Sequence, residues 1–168
     1  MGKRRKAREL ALQFLYQFDI NPPNMRKPDS SESLLRHVPD NLDALSSEDV
    51  ERELNNFWEN FKTDEEVKPF FIELVRGVLT HKTEIDQIIN KTSENWKLER
   101  MAVVDRNILR FSIFELLYRD DIPPNVTMNE AIEIAKRYGS DESHAFINGI
   151  LDKVAILYNK KTDSGNDR

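Results

Sequence analysis

The chain has 168 residues, 39% of them hydrophobic and 33% charged, which is one domain's length with enough apolar material for a core and too little for a membrane protein. It has no cysteine, which excludes disulfides, thiolate metal sites and cysteine nucleophiles and fits a reducing cytoplasm. The net charge of −5 argues at face value against a polyanionic partner. The charge is unevenly spread, however: residues 1–28 hold seven Lys and Arg against two acids, residues 29–66 hold three against twelve, and the remainder is nearly neutral. Asymmetry of this kind points to an acidic or polyanionic partner for the basic end.

The first element follows directly from that basic end. Ala7, Leu10, Ala11, Phe14, Leu15 and Phe18 fall at i, i+3, i+4, i+7 spacing, which predicts a half-buried helix over about 4–19. Arg5, Arg8, Leu12 and Tyr16 form a second stripe beside the buried one. Gln13, Gln17 and Asp19 interrupt the apolar run that a secretory signal needs, and the segment lacks the serines of a mitochondrial presequence. We therefore read it as part of the mature fold. No stretch approaches the roughly eighteen apolar residues that span a bilayer.

Pro22, Pro23, Pro28 and Pro39 with Ser30, Ser31 and Ser33 predict a loop or loosely ordered insertion, and with the acidic stretch behind it the insertion covers about 20–66. Within it, Ser46 and Ser47 offer caps for a helix carrying Val50, Leu54, Phe57, Trp58 and Phe61. Pro69 places a new helix start near Lys68, with Phe70, Phe71, Leu74, Val75 and Val78 facing a core. Ile85, Ile88 and Ile89 mark a short fourth helix, and residues from about Glu99 to Tyr118 a long fifth. Thr127 with Glu130 reads as a capping box for a sixth helix that stops at Gly139. Ser140 or Asp141 then caps a last helix with Phe146, Ile150, Leu151, Val154 and Leu157 on its apolar face. Residues 159–168 form a flexible polar tail, leaving 1–158 as a single domain. The reading is all-α with about seven helices.

Templates for chemistry do not match. The five glycines are too scattered for a phosphate-cradling loop, and His37, His81 and His144 lack metal-ligand spacing. Asp120 and Asp121 sit in a turn, where carboxylates cap backbone. With no nucleophile beside a base, no metal and no cofactor expected, the chain reads as a binding protein. Aligned cations on one helix face can neutralise consecutive phosphates, and a solvated helix end is the competing reading. Tyr16 on the same stripe, and Phe146 if it is not core, add faces on which RNA bases stack.

Three segments, covering most of the chain outside 20–66, together resemble the transcription antitermination factor NusB family. The first is Arg4, Arg5, Lys6, Ala7, Arg8, Glu9 with Ala11, Gln13, Leu15 and Tyr16; the second is Asp105, Arg106, Asn107, Ile108, Leu109, Arg110 with Glu115 and Leu116. The third runs from Asn129 to Glu133 and Gly139 and resumes at Ser143, His144, then Phe146 to Lys153. The resemblance implies two packed helical bundles and no catalysis. It also implies pairing with ribosomal protein NusE, binding of the heterodimer to single-stranded boxA in nascent ribosomal RNA transcripts, and support of RNA polymerase against termination. RNA contacts carried over from the family are Arg4, Arg5 and Arg8 with Glu142, Ser143 and Phe146; Tyr16 and Asp105 lie near the partner surface. Some members have Asp where this chain has Glu142, and some self-associate as homodimers. Two other readings stand beside this one. The NusB-like domain of ribosomal RNA cytosine methyltransferases is set aside for want of the cysteine nucleophile; a helical adaptor that docks an acidic protein without RNA stays open.

Overall fold

The computed structural model describes residues 2–22, 47–61 and 63–158. Within these there are seven α-helices: α1 (Lys3–Ile20), α2 (Ser47–Asn60), α3 (Lys68–Thr80), α4 (Lys82–Thr92), α5 (Val103–Tyr118), α6 (Pro124–Tyr138) and α7 (Ser143–Leu157). Single 3-10 turns precede α3 (Glu65–Val67) and α5 (Leu98–Arg100). No strand occurs among the described residues. The proline-rich stretch 23–46, with Ser46, and the polar tail lie outside them.

Helix α5 organises the rest. Its residues from Asn107 to Leu116 are all buried, so it is covered on every side. α1 and α3 pack on one flank with α2 outside α3, while α4, α6 and α7 pack on the other. One continuous apolar core joins the flanks, from Phe14, Phe57 and Phe71 to Ile147 and Val154. Close approach of α3 to α5 depends on Gly77, where a methyl group would overlap the Phe114 ring. Filling it would cost about 1–3 kcal/mol through overpacking.

Three local expectations need correction. Thr127 and Glu130 are not a capping box: α6 begins at Pro124, whose fixed φ suits a first helical position. The Thr127 hydroxyl instead donates to Glu115, and Glu130 accepts from Arg5 across the molecule. The fifth helix does not begin at Glu99, because extended backbone at Met101 separates the 3-10 turn from Val103. Neither Ser140 nor Asp141 caps α7; Glu142 occupies that position without a side-chain bond. The bond runs the other way, with Ser140 N–H donating to the Ser143 hydroxyl at 2.9 Å. α6 stops at Gly139 as expected; the backbone there is extended, and a side chain at that position would strike Ser143.

Candidate nucleic-acid interface

Helix α1 starts with Lys3, Arg4, Arg5 and Lys6 and has no acid in its first turn. Four cations at the positive end of a helix dipole oppose helix stability, so a reason other than local stability keeps them there. The structure sorts them. Arg4 is 55% exposed, 3.8 Å from Asp121, with its guanidinium over the Phe70 ring. Arg5 is part-exposed and pairs with both oxygens of Glu130 at 2.7 and 2.8 Å. That pair raises the Arg5 guanidinium and lowers the Glu130 carboxyl from their ordinary values through the shared hydrogen bond. Lys3 pairs with Glu66 and Lys6 is half-buried.

Arg8 is elsewhere. It is 2% exposed and grips both oxygens of the buried Glu115 at 2.7 and 2.8 Å. The reading of Arg5, Arg8, Leu12 and Tyr16 as one surface stripe is therefore corrected: Arg8 and Leu12 are buried, and only Arg5 and Tyr16 reach solvent. A lone buried carboxylate is costly, so Glu115 requires the arginine that α1 supplies.

At the other end of α6, Glu142 is exposed, Phe146 is half-buried with one side on the core, and Ser143 is buried. The Ser143 hydroxyl also hydrogen bonds Asp105. Burial raises the Asp105 carboxyl above the usual range, the Ser143 bond opposes this, and Oδ1 has no partner. α6 is the strut between the two predicted groups of RNA residues: Arg5 meets Glu130, Arg137 donates to Glu9 at 3.0 Å, and α6 then leads through Gly139 into α7. From Glu130 to Tyr138 it spans about 12 Å. The two groups thus occupy ends of one edge and do not touch.

Beside that edge runs a groove of about 470 Å³ lined by Lys6, Glu9, Gln13, Tyr16, Val104 and Tyr138 among others. Of the two residues expected at a partner surface, Tyr16 lines this groove, whereas Asp105 is buried and is not part of its lining. Tyr138 and Glu9 were missed by sequence reasoning; their pairing across α1 and α6 has no local spacing signal. Among the described residues no group of His, Asp and Glu is arranged to hold a metal ion, and no helix is long and apolar enough to cross a membrane.

Fold and surface together define an all-helical protein with a basic helix start, a part-buried aromatic and a groove along one edge. The NusB family model matches residues 5–156, and the chain belongs to that family. The transcription antitermination protein NusB of Desulforapulum autotrophicum is 47% identical over 161 residues, 95% of each chain. The solved structure of T. maritima NusB is 35% identical, covers 91% of this chain and 90% of that one, and superposes with a TM-score of 0.69. A chain from a structure of NusB and NusE in complex with dsRNA has the same fold, at 21% identity, 93% and 98% coverage and a TM-score of 0.69.

Proposed function

We propose that this protein binds RNA as an antitermination factor: paired with ribosomal protein NusE, it holds single-stranded boxA of nascent ribosomal RNA transcripts and helps RNA polymerase resist termination. It acts in the cytoplasm by binding, not by catalysis. The observation that carries this reading is the run of cations at the α1 start, where they oppose the helix dipole and Arg4 stands exposed, only loosely paired with Asp121 at 3.8 Å. Arg4 and Arg5 contact phosphate, Arg5 exchanging Glu130 for a phosphate oxygen pair in the same bidentate geometry. Phe146 stacks a base and Glu142, at the start of α7, lines its path. Arg8 and Ser143 position these groups from beneath, Arg8 through Glu115 and Ser143 through Asp105. NusE occupies the groove at Tyr16, with Asp105 nearby at the start of α5.

The experiment is a titration of labelled boxA-type RNA with and without NusE, set against a scrambled RNA. Tight binding that needs both NusE and the boxA order is expected. Equal affinity for the scrambled RNA would overturn the sequence-specific reading. Capture of an acidic protein with no RNA affinity would favour the adaptor instead.

A further inference from the structure

We propose a second RNA contact on the α4–α5 loop, where Trp96 stacks a base beyond the boxA segment while Lys97 and Arg100 neutralise the flanking phosphates. Trp96 is 53% exposed, in contrast to the chain's other tryptophan, Trp58, at 2%. The loop that displays it is pinned on both sides. Ser93 donates to the Trp96 carbonyl, the Leu98 N–H donates to Asn90 at 2.9 Å, and Leu98 and Met101 are anchored in the core. A large apolar ring held out by a fixed loop has already lost the freedom that binding would otherwise remove.

The charge around it selects the occupant. Lys91, Lys97 and Arg100 are exposed, and their side chains have no carboxylate partner among the described residues. Lys153 of α7 reaches over to Glu94 and to the Thr92 carbonyl, adding a fourth cation and taking up one of the two local acids. In a chain of net charge −5, a surface of cations around one aromatic matches the combination that binds single strands without sequence preference. It also continues the edge already described, because Asp105, just after this loop, is bonded to Ser143 at the α7 start. This inference rests on the RNA-binding reading above and extends its path along α7.

The test uses the full chain with NusE, a boxA-type RNA and the same RNA carrying a short uridine tail. Trp58 is shielded, so acrylamide quenching of tryptophan emission reports Trp96, and Trp58→Phe confirms the assignment, giving up no hydrogen bond because the Trp58 indole N–H has none. The tailed RNA is expected to protect Trp96 from acrylamide, and Trp96→Ala to lose about tenfold affinity for it, with Trp96→Phe retaining most of that. The pair Lys97→Gln and Arg100→Gln should flatten the dependence of log affinity on log salt by about 1.4, at ~0.7 for each phosphate. If wild type binds both RNAs while Trp96 stays accessible and Trp96→Ala binds the tailed RNA equally, this contact is refuted and the boxA reading stands. If wild type with NusE binds neither RNA, both fall. Protection of Trp96 by NusE alone would reassign the loop to a protein contact and overturn the proposal.

Discussion

The two ends of α1 are fastened to α5 by opposite means. At the N-terminal end α1 supplies the cation, Arg8, to the buried Glu115. At the C-terminal end it supplies the anion, Asp19, which accepts from Arg106 at 2.6 Å, Arg110 at 2.9 Å and Asn107 at 3.0 Å; Arg110 continues to Asp86. The C-terminal lock keeps its charges sheltered, with Asp19 and Asp86 facing Arg106, Arg110 and Lys82. The N-terminal end carries cations beyond what its lock uses, and Lys3 and Arg4 among them are exposed. Sheltered charge at one end and exposed cations at the other separate what the fold requires from what it holds ready for a partner.

The largest effect expected of any change here is at Arg8. Arg8→Met leaves Glu115 buried and unpaired and should lower stability by about 3–5 kcal/mol in a denaturant titration, whereas adding Glu115→Leu to it restores most of the loss. If Arg8→Met melts like wild type, the N-terminal lock is not structural and Arg8 returns to the surface stripe. Asp19→Asn should cost about 1.5–3 kcal/mol at neutral pH, less than Arg8→Met because Asp19 is nearer solvent. Burial alone would raise the Asp19 carboxyl, yet hydrogen bonds from Arg106 and Asn107 and the charge of Arg110 hold it below its ordinary 3.8. A lowered carboxyl stabilises above its unfolded value, and this contribution is lost as pH falls through the folded one. Melting curves of wild type and Asp19→Asn should therefore converge as pH drops below 3.8.

Smaller changes sharpen the functional side of the contrast. Phe146→Ala should weaken RNA binding by about 1–3 kcal/mol, read by anisotropy, with the melting temperature falling less than for a fully buried phenylalanine such as Phe71. A fall as large as that of Phe71→Ala would place Phe146 in the core alone. Arg4→Gln should shift stability least, by about 0.5 kcal/mol and upward, since it relieves an unfavourable dipole contact.

Helix positions were legible because burial imposes a 3.6-residue period, and because Pro69 and Gly139 punctuate α3 and α6 wherever the helices pack. The roles of polar side chains were less so. Arg8 sits at helical spacing from Arg5, and nothing local distinguishes a cation facing water from one facing Glu115, 107 residues away. Thr127 and Glu130 have capping spacing, yet long-range partners claim both side chains. Ser143 likewise reads as a helix start open to RNA until Asp105 and Ser140 are seen against it. Composition was legible in one further respect: the basic start kept its meaning in an acidic chain, since the acids that meet it balance Arg5 and Arg8 and leave Arg4 outward.

The role of the cations at the α1 start is tested most directly by the salt dependence of boxA-type RNA affinity for Arg4→Gln/Arg5→Gln, measured with NusE present beside wild type. The account predicts weaker binding with a log–log slope shallower by about 1.4, at ~0.7 for each phosphate no longer neutralised, with the fold retained and NusE binding unchanged. An affinity and slope equal to wild type would contradict it.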